Sequence, residues 1–217
     1  MKYDAIVFDF DGVLVESVDV KTKAFAALYA GYGDSIVEKV TEYHLQHGGV
    51  SRFEKFRYYH EVLLGKTLTK DEEIQLGNRF SQYVEDAVVE SAYVAGVYKF
   101  LENYHQLIPL FVASGTPDAE LKRIVSRRKM TDYFVSVHGS PAQKGDIIQN
   151  ILKDHGFKPD RVLMIGDAIA DYEGAIVAGV KFIGRVMQYP KTYPFEADTL
   201  VLSDLVDFEA LINSPSH

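Results

Sequence analysis

The sequence predicts an α/β fold, with a doubly wound, mostly parallel sheet and an all-helical segment inserted after the first strand. A short apolar run leads directly into Asp9 and Asp11, as in a buried parallel strand whose carboxyl end carries polar side chains. Residues 18–89 then place apolar side chains at helical spacing, without the alternation typical of strands. Beyond them, short apolar runs alternate with helical patterns, which indicates a parallel sheet with crossover helices.

Glycines and capping signatures divide the inserted segment into four helices. The glycines that interrupt the helical pattern stand at positions 31, 33, 48, 49 and 65. Ser51 with Glu54, and Thr69 with Glu72, each match a capping box, in which a hydroxyl and a carboxylate satisfy the first amides of a helix. A third and a fourth helix are therefore expected to begin at these two places. The expected domains are an α/β core, residues 1–16 and 90–217, and a helical cap, residues 17–89.

The remainder of the chain supplies the other strands of the sheet. The expected strands are residues 107–113, 133–137, 161–165, 180–183 and, with a weaker pattern, 199–202. Helices between them are expected to begin near Pro117, Ala142 and Ala168. In such a sheet the first strand is central and is flanked by the second and the fourth, so the residues that follow these three strands meet at one edge.

Composition excludes several classes of function. The 217 residues carry 31 acidic against 23 basic side chains, a formal net charge of −8, which is unsuited to nucleic acid or to an anionic membrane surface. Because there is no cysteine, there is no thiol nucleophile, disulfide or thiolate metal site. No apolar run reaches membrane-spanning length, and none precedes the first strand as a signal segment. We therefore expect a cytoplasmic protein, monomeric or homodimeric, without a nucleic-acid or membrane partner.

Small and charged side chains also follow the strands on either side of the first one. Ser114, Gly115 and Thr116 precede a helix start, where free amides can hold an anion, although a hydroxyl there can also simply cap the helix. Asp167 and Asp171 stand four residues apart at the beginning of another helix. This spacing turns both carboxylates toward one side, and the helix dipole alone would also favour them.

The predicted topology brings these acidic residues together, and their combined negative charge indicates a bound cation. Four carboxylates at one sheet edge, those of Asp9, Asp11, Asp167 and Asp171, repel one another unless positive charge compensates them. Oxygen ligands select a hard ion, most simply Mg²⁺. Lys144 stands near a further helix start, where a lysine is ordinarily a solvated side chain. Together with a serine and free amides, the ion and the lysine form a site for a phosphoryl group.

These residues resemble the four ordered motifs of the haloacid dehalogenase superfamily. The motifs correspond to residues 9–13, residues 114–116, Lys144 and residues 166–171, and they span essentially the whole chain. The helical insertion resembles the C1-type cap of the phosphoglycolate phosphatase and β-phosphoglucomutase branch. Two departures are mild: Ala168 stands where a serine is frequent, and Glu16 where an aspartate or threonine is often found.

The resemblance implies a Mg²⁺-dependent phosphatase that acts on a small phosphorylated metabolite. Asp9 is expected to attack phosphorus and form an aspartyl-phosphate, while Asp11 protonates the leaving oxygen and then takes a proton from water. The resemblance implies three sets of residues: the catalytic residues Asp9, Asp11, Ser114 and Lys144; the phosphoryl-binding residues Ser114, Gly115 and Lys144; and the metal ligands Asp9, Asp11 through its carbonyl, Asp167 and Asp171. Two alternatives stay open, a phosphomutase of the β-phosphoglucomutase type and a non-enzymatic phospho-receiver domain.

The loop at residues 47–52 is the expected source of substrate selectivity. Its glycines give it freedom, and Arg52 stands at a helix start, where an anion is favourable. Arg52 is therefore the substrate-binding candidate of the cap, with an unliganded surface arginine as the alternative. Lys55 and His47 are weaker candidates of the same kind. Because His44 and His47 lack the HExxH pattern, no zinc site is expected.

Overall fold

The computed structural model describes residues 1–187 and 195–213, and it contains a six-stranded parallel sheet. The strands in chain order are β1 Ala5–Phe8, β2 Leu110–Pro117, β3 Ser136–Ser140, β4 Val162–Gly166, β5 Lys181–Arg185 and β6 Val201–Leu202. Their order in the sheet is β3-β2-β1-β4-β5-β6, and each pairing is parallel. The predicted fold class, with the first strand between the second and the fourth, is confirmed.

Four helices follow β1 and form the inserted segment, which we call the cap. They are α1 Val18–Tyr29, α2 Asp34–Gln46, α3 Arg52–Tyr58 and α4 Lys70–Glu90, with a π turn, Tyr59–Leu63, that prolongs α3. The remaining helices belong to the core: α5 Val97–Tyr104, α6 Asp118–Arg127, α7 Lys144–His155, α8 Ile169–Ala178 and α9 Phe208–Asn213. The division into two domains at the expected boundaries stays a prediction.

Two adjacent stretches of chain connect the cap to the sheet. The amide of Glu16 donates to the carbonyl of Ala92 at 2.9 Å, and the amide of Val94 donates to the carbonyl of Leu14 at 3.1 Å. These bonds form a short antiparallel ribbon between the outgoing and the returning chain. One ribbon therefore carries the whole cap over the edge of the sheet where β1, β2 and β4 end.

The apolar core covers the sheet and continues into the cap. Strands β1 and β4 are fully buried, which explains their unbroken apolar sequences. In the cap the ring of Phe25 contacts those of Tyr59 and Phe80, with centroids 5.7 and 4.4 Å apart, and Phe56 packs beside them. Because these rings come from α1, α3, α4 and the π turn, they hold the cap helices together as one unit.

Several strand boundaries differ from those expected, by up to four residues. β2 begins at Leu110 and extends to Pro117, because Leu107 is 61% exposed in the turn that follows α5. Helix α5 was not predicted from the sequence. β3 begins later than expected because a 3₁₀ turn, Thr131–Tyr133, occupies the start of the predicted strand.

One of the two predicted capping boxes is confirmed. The Thr69 hydroxyl accepts a hydrogen bond from the amide of Glu72, and the Glu72 carboxylate accepts one from the amide of Thr69 in return. The box at Ser51 is wrong: its hydroxyl accepts the amide of Phe53 at 3.4 Å instead of the amide of Glu54. The Glu54 carboxylate instead accepts a hydrogen bond at 3.4 Å from the side chain of Gln143, a core residue.

Candidate active site

Asp9 follows the central strand directly and is almost completely buried. Because β1 ends at Phe8, the Asp9 carboxylate emerges where β2 and β4 also end. Its Oδ1 accepts the amide of Phe10 at 2.7 Å, and its Oδ2 lies 3.1 Å from Nζ of Lys144. Burial, and next the charge of Asp171, raise the pKa of Asp9 to about 7, against the opposing charge of Lys144. The ionised carboxylate therefore needs more positive charge than the surrounding residues supply.

Asp11 is held by three donors. Ser17 donates to Oδ1 at 2.6 Å, Thr116 donates to Oδ2 at 3.0 Å, and Lys21 of α1 forms an ion pair with Oδ2. Burial raises the pKa of Asp11, but the charge and hydrogen bonds of these three partners outweigh it and hold the pKa below its ordinary value. The pKa values of Asp9 and Asp11 are thus shifted in opposite directions, and with these partners alone Asp11 is the acid that stays ionised.

Strand β2 places Ser114, Gly115 and Thr116 beside these acids. Ser114 is 1% exposed and accepts the amide of Thr116 at 3.2 Å, while helix α6 starts without any side-chain cap. The alternative explanation of the two hydroxyls as helix caps is therefore wrong. A Cβ on Gly115 would lie 2.2 Å from the carbonyl oxygen of Gly49, so the missing side chain allows the cap loop to approach the site.

Lys144 begins α7 and lies among the acids. Its side chain is 6% exposed, it forms an ion pair with Asp171, and its Nζ lies 3.1 Å from Asp9. The other oxygen of Asp171 accepts the amide of Ala168 at 3.0 Å. Burial alone would lower the pKa of Lys144. The carboxylates of Asp171 and Asp9 outweigh burial and raise the pKa above its ordinary value, so the group stays an ammonium. The alternative of a solvated lysine is wrong.

The carboxylate oxygens of Asp9, Asp167 and Asp171 lie within 4.8 Å of one another. Among the described residues, Lys144 is the one cation that pairs with these carboxylates, through Asp9 and Asp171, so the cluster keeps excess negative charge. Burial, and next repulsion by Asp9, raise the pKa of Asp167 well above its ordinary value. A buried, net-negative cluster of oxygen ligands fits a hard divalent cation such as Mg²⁺. The carboxylate of Asp11 lies outside the cluster, which leaves its carbonyl as the expected metal ligand.

The loop after Asp11 depends on a glycine and on a distant arginine. Gly12 has a φ of +77°, and a Cβ there would lie 2.1 Å from Oδ2 of Asp167. Arg185 of β5 donates to the carbonyl of Gly12 at 2.9 Å and forms an ion pair with Glu16 at 2.7 Å. Sequence reasoning missed Arg185, because 169 residues separate it from Glu16 and no local pattern marks it.

A cavity of about 140 Å³ lies between the cap and this edge of the sheet. The core contributes acids and hydroxyls to its wall, and the cap contributes basic side chains. Its charged and polar lining residues include Asp9, Asp11, Ser114, Thr116 and Asp167 from the core and Lys21, His44, Arg52 and Lys55 from the cap. Sequence reasoning missed Lys21, whose position on a cap helix gives no hint of its contact with Asp11.

Arg52 lies in the cavity wall, but its charge already has a partner. Its guanidinium donates twice to the carboxylate of Glu120, at 2.5 and 3.0 Å, and once to the hydroxyl of Ser81. It is 5% exposed, so the surface position assumed in the alternative is wrong. Contact between Arg52 and a substrate stays a prediction.

The two weaker candidates of the cap have different surroundings. Lys55 is 2% exposed and lines the cavity, where its Nζ lies 2.9 Å from Nδ1 of His44. His47 is absent from the cavity lining: its ring stacks on Tyr43, with centroids 3.8 Å apart, and its Nδ1 lies 2.9 Å from the Tyr43 carbonyl. Among the described residues, neither histidine belongs to a group that could hold a metal ion.

The comparison with known families decides the identity of this site. The sequence profile described as haloacid dehalogenase-like hydrolase matches residues 3–179. The chain belongs to this family. The predicted family and the expectation of a phosphatase enzyme are confirmed, and the alternative of a non-enzymatic receiver domain is wrong. None of the helices in the described part of the chain is both long and apolar enough to cross a membrane.

Curated relatives of this hydrolase are named as phosphatases. Phosphoglycolate phosphatase 1 of Pseudomonas aeruginosa is 26% identical over 214 residues, which cover 93% of this chain and 77% of the relative. The phosphorylated carbohydrates phosphatase of Thermotoga maritima is 24% identical over 189 residues, 85% of each chain. The site motifs therefore occur in a chain that resembles these enzymes over most of its length.

Solved structures of other proteins share the fold. CbbY from Rhodobacter sphaeroides, solved in complex with phosphate, has a TM-score of 0.73 at 18% identity, covering 95% of this chain and 96% of its own. YfnB from Bacillus subtilis, solved bound to magnesium, has a TM-score of 0.73 at 14% identity, covering 99% and 100%. At these identities the likeness concerns the fold alone.

Proposed function

We propose that this hydrolase is a Mg²⁺-dependent phosphatase that cleaves a small phosphomonoester through an aspartyl-phosphate on Asp9. One observation carries the proposal: the buried Asp9 carboxylate lies beside Asp167 and Asp171, within 3.1 Å of the Lys144 ammonium, at the floor of a small cavity. A nucleophile, a cation site and a fixed ammonium at one point are what phosphoryl transfer requires.

In the proposed first step, the Asp9 carboxylate attacks phosphorus and the bond to the ester oxygen breaks. Asp11, in its protonated form, gives its proton to that oxygen, so that an alcohol leaves and a phosphorylated Asp9 remains. In the second step, Asp11, now a carboxylate, takes a proton from water as the water attacks phosphorus. Inorganic phosphate leaves, and both carboxyl groups return to their starting states. The hydrogen bonds from Ser17 and Thr116 hold Asp11 in one orientation, and because they favour the carboxylate they suit its role as base in the second step.

The residues that would hold Mg²⁺ are Asp9, Asp167 and Asp171 through carboxylates and Asp11 through its carbonyl. When bound, the ion supplies positive charge that offsets the repulsion between the acids and the transferring phosphoryl oxygens. The magnesium bound in the YfnB structure, which shares this fold, is consistent with the proposal.

Ser114, Gly115 and Lys144 are proposed to bind the phosphoryl group. The Ser114 hydroxyl and the amide of Gly115 lie at the end of β2 next to Asp9, and the Lys144 ammonium balances charge on the same group. The names of the relatives favour phosphoglycolate or phosphorylated carbohydrates as substrates, and the small cavity favours a compact metabolite. The cytoplasmic location and the monomeric or homodimeric state stay predictions.

The test is release of inorganic phosphate from a panel of phosphoglycolate, sugar phosphates and nucleotides, with Mg²⁺ and with a chelator. We expect turnover only with Mg²⁺, and a loss of more than about 100-fold in kcat for Asp9→Asn, because the nucleophile is lost. Retention of more than a hundredth of the activity in this variant would contradict the nucleophilic role. Conversion of a sugar 1-phosphate into a 6-phosphate without phosphate release would instead identify a phosphomutase.

A further inference from the structure

The cap contributes a buried pair of basic side chains, Lys55 and His44, to the cavity wall. Lys55 is 2% exposed and His44 is 7% exposed, although each bears a polar group that is costly to remove from water. Nζ of Lys55 lies 2.9 Å from Nδ1 of His44, and the aromatic ring of Phe25 lies beside both side chains. The pair faces the same cavity as Asp9 and Asp11.

Lys55 differs from the other basic residues of the cavity wall in having no acidic partner. Lys21 is paired with Asp11, and Arg52 is paired with Glu120. No carboxylate of residues 1–187 or 195–213 lies within ion-pair distance of Lys55. A buried charge without a partner is strongly unfavourable in a folded chain unless something else compensates it.

His44 has an unused donor of its own. Because its Nδ1 accepts a hydrogen bond from the Lys55 ammonium, the proton of the neutral imidazole resides on Nε2. Burial, and next the charge of Lys55, lower the pKa of His44 to about 3, so the ring is neutral near pH 7. Its Nε2 is buried and has no hydrogen-bond partner among the described residues. Within the described part of the chain, the pair therefore offers an ammonium without an anionic partner and an imidazole N–H without an acceptor.

We propose that Lys55 and His44 bind a carboxylate at the non-reacting end of the substrate, so that the substrate is a small phosphorylated carboxylic acid. This inference rests on the proposed function, since it takes the phosphoryl group to lie at Asp9. A carboxylate has two acceptor oxygens, one negative charge and no donor, which matches one ammonium and one N–H. An alcohol would leave the charge of Lys55 uncompensated, and a second phosphate would bring excess negative charge.

Two further observations support a compact carboxylate. The proposed phosphoryl group has partners at the core, because Ser114 lines the cavity and Lys144 contacts Asp9, so the cap pair remains for another group. The cavity of about 140 Å³ restricts the spacer between the two anionic groups to a few atoms. Burial, and next the charge of Lys21, lower the pKa of Lys55 to about 7, and a bound carboxylate would restore the charged form.

The experiment compares 2-phosphoglycolate with 2-hydroxyethyl phosphate, in which a hydroxymethyl group replaces the carboxylate. We expect the wild-type enzyme to prefer 2-phosphoglycolate. In Lys55→Met the ratio of the two kcat/KM values should fall by about 10- to 100-fold, the effect of losing a charged hydrogen bond. His44→Phe should lower the same ratio, since the ring is kept and the N–H is lost. Lys39→Met, an exposed lysine on the same helix as His44, is the matched control and should not change the ratio.

The outcomes separate this inference from the proposed function. Absence of turnover on every phosphomonoester with Mg²⁺ would refute the proposed function. Turnover without preference for the carboxylate, or an equal loss on both substrates in Lys55→Met, would overturn the inference alone. A preference for ethylene glycol bisphosphate over 2-phosphoglycolate would also overturn it. Thermal unfolding separates misfolding from a binding defect, because methionine fits the apolar surroundings and Tm should not fall.

Discussion

The guanidinium of Arg52, on helix α3 of the cap, forms a two-point ion pair with the carboxylate of Glu120, on helix α6 of the core. The two N–O distances are 2.5 and 3.0 Å, and both side chains are 4% exposed. The guanidinium also lies 4.4 Å from the ring centroid of Phe80 and donates to Ser81, both on α4. A residue expected to await a substrate thus connects the cap to the core.

Removing the charge of Glu120 should therefore destabilise the protein strongly. In Glu120→Gln, Arg52 keeps a hydrogen-bond acceptor but stays buried without a compensating charge, and breaking a buried pair in this way costs about 3 kcal/mol. The free energy of unfolding, measured with urea, should fall by that order.

Glu85→Gln is the matched control, because Glu85 of α4 also bridges the cap to α6, through Arg123 and Arg127. This bridge is more exposed, at 20% for Glu85 and 53% for Arg123, and exposed pairs contribute less than about 1 kcal/mol. Equal losses of unfolding free energy in Glu120→Gln and Glu85→Gln would contradict the distinction between a buried and an exposed ion pair. The double variant Arg52→Met/Glu120→Leu should recover most of the lost stability, since it removes both charges.

The sequence predicted the part of the site that follows from strand order. Asp9, Ser114 and Asp167 each come directly after an apolar run. A doubly wound sheet brings those three positions to adjacent strand ends regardless of the conformation of the loops. Asp171 follows from its spacing on a helix. These relationships depend on local periodicity and on topology, and both can be read along the chain.

The sequence could not predict pairs that depend on packing between distant segments. Arg52 and Glu120 are 68 residues apart, and nothing near either one marks the other. Whether a basic residue of the cap is neutralised by the chain or left for a ligand depends on such pairing. For this reason the sequence could not show that Arg52 has an acidic partner and Lys55 has none among the described residues, although the two are three residues apart on one helix.

Lys21 should orient the Asp11 carboxylate for acid–base catalysis. It comes from the cap and forms an ion pair with the Asp11 carboxylate, and its Nζ also donates a hydrogen bond to the hydroxyl of Thr116 at 2.7 Å. In Lys21→Met the carboxylate loses its main orienting partner, so we expect kcat to fall about 10-fold or more, within the range of acid–base catalysis. Lys23→Met changes an exposed lysine of the same helix and should leave kcat unchanged. Equal kcat values for the two variants would argue against this role.

The stability effect of Lys55→Met should depend on pH. The pKa of Lys55 is about 7 in the folded protein, against about 10.4 in an unfolded chain. Between these values the unfolded chain holds a proton that the folded chain has lost, so wild-type stability rises with pH. Well below pH 7 both states are charged and the burial penalty is complete.

Lys55→Met should accordingly be more stable than the wild type near pH 7, with a difference that shrinks by about 1 kcal/mol per pH unit up to pH 9. Urea unfolding at pH 7, 8 and 9 measures this. A difference that stays constant across the three pH values would show that Lys55 titrates normally. Lys39→Met, which changes an exposed lysine, should show no such dependence.

Gly12 should be required for metal binding rather than for backbone conformation alone. Gly12 and Gly156 have similar positive φ angles, +77° and +69°, but only Gly12 is crowded: a Cβ there would lie 2.1 Å from Oδ2 of Asp167, whereas nothing lies within 4 Å of one on Gly156. Both alanine variants should lose about 1 kcal/mol through backbone strain. Only Gly12→Ala should displace Asp167, and we expect its Mg²⁺ concentration for half-maximal activity to rise about 10- to 100-fold. If Gly156→Ala showed the same change in Mg²⁺ dependence, strain and not the contact with Asp167 would be the cause.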